Sequence, residues 1–490
     1  MYWRRNKYGF LISFMLVLFS ISCSEDTEAP QKLPEVEEDF KLTDIKDAYA
    51  GIASFSQTAQ WGPYNVHDPA IIKVGEWYYC YSTDVAYGQP LLRVGIQMRK
   101  SKDLVEWEFV GWAYDGLPMQ AVNYIRSGNT EPFENIWAPY CLKVGDEFRL
   151  YYSLSSEVHK LSTIGLLTAS SPEGPWLQSG LVVTSAPNIP MTNAIDPTVI
   201  VDQQNRHWMY YGSAYDGIYV LELDPTTGLS KQGGDKGKRV AQRGFTAGVI
   251  NGNIEAPEII YNEETGFYYL FHSYDWLESK YNIRVARSSN PEGPFLDYNG
   301  QDINTELDNG PMIIAPYKFE GHAGWQGTGH NAVFKGQDNY YIAHQGRPTS
   351  DRFFMILHVR KLFWTKEGWP VASPQRYAGL VQSPLEREEL LGEWEQIVLG
   401  YRVVPGFAAE QFSPDQQVSY RINLKADGTI DGQSANRWTY EKPWLFLDYG
   451  NGTFVDKVEV EIGYDWENHK ETLIYSGLNN EGTAIWAKKR

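Results

Sequence analysis

Asp68, Asp196 and Glu255 are three acids set in one recurring phrase. Each stands just ahead of a proline that opens an apolar run: His67-Asp68-Pro69, Ile195-Asp196-Pro197 and Glu255-Ala256-Pro257. Trp137-Ala138-Pro139 and His330-Asn331-Ala332 complete a set of five openings. Their steps are 70, 58, 60 and 75 residues, counted from Asp68, Ala138, Asp196, Ala256 and Asn331. Carboxyls gathered in one pocket repel each other and lose hydration, which drives their pKa values apart into an acid and a base. Cleavage of a glycosidic bond uses that separation. One protonated carboxyl donates to the leaving oxygen, and one carboxylate activates water on the opposite face. A third carboxylate near the acid holds its pKa up by like-charge repulsion. A lone Asp-Pro is more simply a strand-end turn, because Asp caps its own backbone. Three acids in phase with a five-fold repeat favour chemistry.

The repeat implies the scaffold. Each opening leads into a short apolar run, a turn and a second run rich in aromatics, as in Ala70 to Val74, Gly75-Glu76, then Trp77 to Tyr81. These are hairpin texts, and a unit of about 60–70 residues fits a four-stranded propeller blade. Ser171-Pro172-Glu173-Gly174-Pro175-Trp176 recurs as Asn290-Pro291-Glu292-Gly293-Pro294-Phe295, 119 residues on, in the same phase. No long segment has a 3.6-residue period, so few helices are expected. The reading is an all-β chain, a five-bladed β-propeller over 48–383 followed by a smaller antiparallel β-barrel or sandwich over 385–490. In the latter, Glu386 to Leu391 reads as a short helix, and Val418 to Ile422 and Val458 to Ile462 read as strands. In a propeller the first strands start beside the central axis, so Asp68, Asp196 and Glu255 should share one cavity.

The N-terminus reads as a targeting segment. Arg4, Arg5 and Lys7 precede an apolar stretch, Phe10 to Phe19, too short to span a bilayer. Cys23 after small residues resembles a bacterial lipoprotein processing site, and Ser24-Glu25-Asp26 an acidic surface-export tag. Residues 1–23 are thus a lipoprotein-type signal segment, and 24–47 a flexible tether. The expected location is the outer membrane, held only by a lipid on Cys23. The alternative is a cleaved soluble signal. Cys80 and Cys141 lie in strand-like text and read as buried small residues. The formal net charge of −18 tells against nucleic acid or other polyanions and permits a neutral partner. Aromatics make up 14 % of the chain. Most serve strand packing, and the rest are available as platforms for sugar rings. There is no GxGxxG before a helix, P-loop, HExxH or GxSxG, so no organic cofactor is implied.

Val66-His67-Asp68-Pro69, Asn193-Ala194-Ile195-Asp196-Pro197, Ile254-Glu255-Ala256-Pro257 and Gly327-Thr328-Gly329-His330-Asn331 resemble the motifs of glycoside hydrolase family 43 across roughly 55–380. The arabinan-cleaving branch is the most similar. That resemblance implies a five-bladed, inverting enzyme, and the favoured reading is an endo-acting α-1,5-L-arabinanase working on plant cell-wall arabinan. Asp68 would be the general base, Glu255 the general acid and Asp196 the group that tunes the acid. It also implies that His330 holds a mostly water-ligated metal, usually calcium. Alone, the residue is weak evidence, since calcium prefers oxygen ligands. Trp137, Asn193 and Ser213 match positions near the bound sugar, and His67 is placed to orient the base or touch sugar. Tyr140 departs from the pattern, which commonly has an acid after Trp-Ala-Pro. Other readings are an exo-acting arabinofuranosidase or xylosidase on the same propeller, a retaining fructan-type propeller, and a surface glycan-binding propeller that has lost catalysis. The C-terminal unit carries no readable chemistry, leaving bracing or a wider sugar-binding surface as its role.

Overall fold

Each repeat begins as a hairpin whose turn needs glycine. Ala70–Val74 pairs with Trp77–Ser82 around Gly75-Glu76, and Trp137–Val144 pairs with Glu147–Leu154 around Gly145-Asp146. Gly75 and Gly145 have φ of 61° and 60°. That left-handed conformation at the first of two turn residues suits glycine and matches the twist of the strands. The second strands are buried along nearly their whole length, as in Trp77–Ser82, because neighbouring sheets cover both faces. This explains their unbroken aromatic and apolar text.

The computed structural model describes residues 40–47, 55–86, 94–246, 249–305, 312–400 and 413–490. The expected signal segment with Cys23, and most of the expected tether, lie outside the described residues. Leu42–Asp44 forms a short 3-10 turn, and Asp47 pairs with Arg376 at 3.1 Å. The last residues assigned to the tether therefore pack on the body.

The fold is all-β and propeller-like. Four separate four-stranded antiparallel sheets carry the first four openings, each with strands in sequence order. Their first strands are Ala70–Val74, Trp137–Val144, Thr198–Val201 and Ile254–Asn262. Sequence reading predicts five such sheets, and the structure differs at the fifth. Asn331–Lys335, Tyr340–Pro348, Ile356–Trp364 and Pro370–Ala372 pair in order, but within a seven-stranded sheet. Trp325–Gln326, Tyr317–Lys318 and Gln417–Val418 extend it. The five first strands touch their neighbours in a closed cycle, the fifth against the first. The segment before Asp68 seals that closure: Asn65 N donates to Met355 O at 3.0 Å, and Leu357 N to Pro63 O at 2.8 Å. Among the described residues one α-helix is present, Met119–Ser127, lying on the second sheet. No helix there is long and apolar enough to cross a membrane.

The C-terminal unit is a closed eight-stranded barrel, so the barrel alternative holds over the sandwich. Gly392–Val398 pairs with both Tyr420–Leu424 and Ala484–Lys489 and closes the ring. The expected short helix is a 3-10 turn, Arg387–Leu390. The expected strand Val418 to Ile422 is broken at Ser419. Gln417–Val418 joins the propeller sheet and Tyr420–Leu424 joins the barrel. Ser419 makes the crossing, donating its N–H to Lys318 O at 2.9 Å and its hydroxyl to Glu395 Oε2 at 3.1 Å. Cys80 and Cys141 are buried free thiols.

Candidate active site

All five openings share one backbone bend. Asp68, Ala138, Asp196, Ala256 and His330 have φ of 54°, 39°, 59°, 55° and 49°. Few non-glycine residues adopt that left-handed region, so five occurrences in phase mark a built feature. By this measure the fifth opening is centred on His330, one residue before the Asn331 used for spacing. Where the bent residue is alanine, the side chain singled out from sequence comes one residue earlier, as Trp137 or Glu255. In the second and fourth repeats the bend coincides with a bulge, between Trp137 and Tyr140 and between Glu255 and Glu258. A bulge re-aims the side chains flanking it.

A hydroxyl from each preceding sheet holds the next opening. Thr83 Oγ1 accepts from Ala138 N at 2.7 Å and donates to Asp68 Oδ2 at 2.6 Å. Ser153 Oγ accepts from Asp196 N at 3.1 Å, and Ser273 Oγ from His330 N at 3.0 Å. Ser213 Oγ donates to Glu255 Oε2 at 2.7 Å. Of these four only Ser213 is singled out from sequence. The others had a visible signal, since Thr83, Ser153, Ser213 and Ser273 follow one another at 70, 60 and 60 residues.

The acids converge as expected. Asp68, Asp196 and Glu255 line one open cavity of about 330 Å³, together with His67, Trp137, Asn193, Ser213 and His330. Every site residue named from sequence thus reaches this hollow. Asp68 and Asp196 are each 7 % exposed, whereas Glu255 is half-buried. Trp137 stacks on Phe133 with ring centres 5.2 Å apart, leaving its other face for a ligand. Asn193 bridges to Ser213 through the backbone. Tyr281, missed from sequence, packs flat on Gly329, where any Cβ would meet the ring at 2.2 Å. That contact accounts for the glycine in Gly329-His330-Asn331.

The electrostatics divide the acids. Burial pushes the Asp68 carboxyl up, but the His330 and His67 rings outweigh it and hold Asp68 well below the usual carboxylate range. His330 Nδ1 lies 2.9 Å, and His67 Nδ1 2.6 Å, from Asp68 Oδ1. Asp196 moves the other way. Burial, then the charges of Glu255 and Asp68, push it well above the usual range against the pull of His330. Asp196 Oδ2 accepts from Ala256 N at 3.2 Å. Burial alone would lower His330, but Asp68, Asp196 and Glu255 raise it to about 9. Asp68 is thus held as the charged partner of an imidazolium at His330, whereas Asp196 is displaced toward its neutral form.

The layer beneath resolves the departure at Tyr140. Two residues past each bend stand Ala70, Tyr140, Thr198, Glu258 and Ala332. No acid follows Trp-Ala-Pro, but Glu258 supplies a buried carboxyl at the matching place in the fourth repeat. Sequence reading missed it.

Comparison with known proteins agrees with this geometry. The model of the family "Glycosyl hydrolases family 43" matches residues 62–370, and that of a "C-terminal lipocalin-like domain" matches 374–487. An extracellular endo-α-(1→5)-L-arabinanase of Thermotoga petrophila is 30 % identical over 482 residues, covering 89 % of this chain and 95 % of that protein. An extracellular exo-α-(1→5)-L-arabinofuranosidase of Cellvibrio japonicus is 30 % identical over 321 residues, covering 62 % of this chain and 86 % of that protein. The crystal structure of an endo-1,5-α-L-arabinanase from Thermotoga petrophila superposes with a TM-score of 0.73 at 29 % identity, covering 87 % of this chain and 98 % of that one. With its acids gathered in one hollow and the family's model matched over most of its length, the chain belongs to glycosyl hydrolases family 43 and is a glycosidase.

Proposed function

We propose that this glycosidase cleaves α-1,5-linked L-arabinan, internally and with inversion. The observation that carries the reading is the meeting of Asp68, Asp196 and Glu255 in one sugar-sized cavity with opposed electrostatics. Asp68, ionised and gripped by two histidines and Thr83, is the general base that takes a proton from water. Glu255, on the bulge and held by Ser213, is the general acid that protonates the leaving oxygen. Asp196 orients the acid through Ala256 N and tunes it as a neighbouring carboxyl. Trp137 offers its open face to a sugar ring, Asn193 and Ser213 flank it, and His67 holds the base. Internal cleavage is favoured over the exo alternative because relatives matching both regions of this chain are named endo enzymes.

The cycle of first strands supports counting the 331–372 strands as a fifth blade, widened by its neighbours. We place the blade region at 48–383 and the barrel at 385–490, in keeping with the two family matches. Export with a lipid on Cys23 is proposed from the sequence alone. For a cation, the donor set offers one nitrogen. Asp68 occupies His330 Nδ1, leaving Nε2, and among the described residues no three His, Cys, Asp or Glu are grouped to hold a metal ion. A calcium ion there fits only as a mostly water-ligated guest of His330. When bound, it would supply the positive charge beside Asp68 that the imidazolium otherwise supplies.

The test is hydrolysis of linear arabinan, with and without chelator, followed by NMR and product sizing. The expected first product is the β-anomer, with mixed oligosaccharides early in the course. Chelation should lower both rate and thermal midpoint, and calcium should restore them. Glu255→Gln should lose at least about 100-fold in turnover while retaining sugar binding. A retained α-anomer, or full activity in Glu255→Gln, would overturn the reading.

A further inference from the structure

Glu258 has no place in the chemistry above, yet it is a buried carboxyl in the layer beneath it. It is 4 % exposed, on the same strand as Glu255 and past the bulge. Its Oε2 meets Thr198 Oγ1 at 2.9 Å, and its Oε1 accepts from Val333 N at 3.1 Å. Thr198 stands two residues after Asp196, and Val333 three after His330. One side chain thus ties together the inner strands that carry Asp196, Glu255 and His330. Ala70 and Ala332 at the equivalent places are too small to reach across. Tyr140 reaches Thr198 from the second repeat, and Glu258 adds to the burial that pushes its phenol up.

A buried carboxylate without a cation is expensive, and such a group stays neutral instead. Burial pushes Glu258 up to about 8, against the donors Val333 N and Thr198 and the charge of His330. A neutral carboxyl is also the better clamp. It accepts from Val333 N on one oxygen and shares a proton with Thr198 on the other.

We propose that Glu258 is a positioning residue for catalysis: as a neutral hydrogen-bonded clamp it fixes Asp196 and His330 relative to Glu255. The inference rests on the roles given to those three residues. Binding contacts lie above this layer, so loss of the clamp disturbs the reacting groups and spares sugar binding. Misplacement by about 1 Å costs on the order of 100-fold in rate.

The test combines three variants. Glu258→Gln reproduces the neutral carboxyl, with an acceptor for Val333 N and a donor for Thr198 Oγ1. It should keep kcat within about 3-fold of the unaltered enzyme at pH 6. Glu258→Leu should lose more than about 30-fold in kcat with KM within about 2-fold. Thr198→Val, nearly isosteric and free of the burden of filling a hole, should lose about 5–10-fold in kcat with unchanged KM and only a small fall in thermal midpoint. Glu258→Gln as damaged as Glu258→Leu would overturn the neutral clamp. Thr198→Val with unaltered kcat would overturn the coupling, even if Glu258→Leu failed to fold. Glu255→Gln separates the two levels: if it keeps turnover, the roles above fail, whereas its loss beside an unaffected Thr198→Val rejects the clamp alone.

Discussion

At the residue scale, Asp68 shows how a buried carboxylate is kept charged. Two imidazoles lie against one oxygen, and Thr83 serves the other. Thr83 has one hydroxyl proton, which it gives to Asp68, and it accepts the Ala138 N–H in return. Thr83→Val keeps the shape and removes both bonds. A hydrogen bond to a charged group is worth about 1.5–3 kcal/mol, so kcat should fall roughly 10–100-fold. In its proposed role as base Asp68 must be ionised, so activity would be lost as pH falls through its pKa. Loss of a donor raises that pKa, so the acid limb of the rate profile should move to higher pH. A rate profile superimposable on that of the unaltered enzyme would rule Thr83 out of this role. The acids themselves were legible because each carries its own Pro-bearing phrase. Thr83, Ser153 and Ser273 were harder to see, since a hydroxyl inside aromatic strand text has no local signature. Only its phase with the next opening gives it away. The spacing to His330 was off by one because Asn331-Ala332 imitates the Asp-Pro frame, and the bend that defines the register is a matter of φ.

At the element scale, hairpin texts and Gly turns gave the strands, and the repeat gave their grouping. The barrel's closure was not legible, because closure depends on the first and last strands meeting across some 90 residues of sequence. Nor was the polar plug inside it. Asp456 is 3 % exposed and lies near Gln396, whose Nε2 reaches it at 3.4 Å and Tyr420 at 2.7 Å. Burial raises Asp456 from 3.8 to about 7. An acid raised in the folded state binds more protons there than in the unfolded chain, so stability falls as pH climbs from about 4 to 7 and stays low above. Three pKa units correspond to at most about 4 kcal/mol. Asp456→Asn, neutral at every pH, should raise the thermal midpoint by a few degrees at pH 8 and leave it unchanged at pH 5. Equal shifts at both pH values would show that the carboxyl's charge is not the cause.

At the scale of the whole molecule, the propeller and the barrel share a core. Trp486, Leu478 and Ala484 of the barrel belong to one buried cluster with Phe319, Trp325 and Ile356 of the propeller. Trp486 lies beside the Arg360 guanidinium at 5.0 Å and the Tyr317 ring at 5.4 Å. Polar ties frame this seam: Lys361 to Glu461 at 2.9 Å, Gln375 to Glu467 at 2.7 Å, and Trp466 Nε1 to Arg376 O at 2.8 Å. The strand Gln417–Val418 crosses back to the propeller sheet before the barrel resumes. Sequence composition changes after Ser383, which marks a boundary in the text but conceals an apolar seam beneath it. These observations favour bracing over a wider sugar-binding surface as the barrel's role. A chain ending at 384 should be insoluble or unfold without cooperativity, because large apolar faces of the seven-stranded sheet would meet water. Trp486→Ala in the full chain is the sharper probe. Removal of a buried Trp costs about 3–5 kcal/mol, so the thermal midpoint should drop while KM for long arabinan is unchanged. A soluble truncated enzyme with a raised KM would reverse the assignment and make the barrel a substrate-binding module.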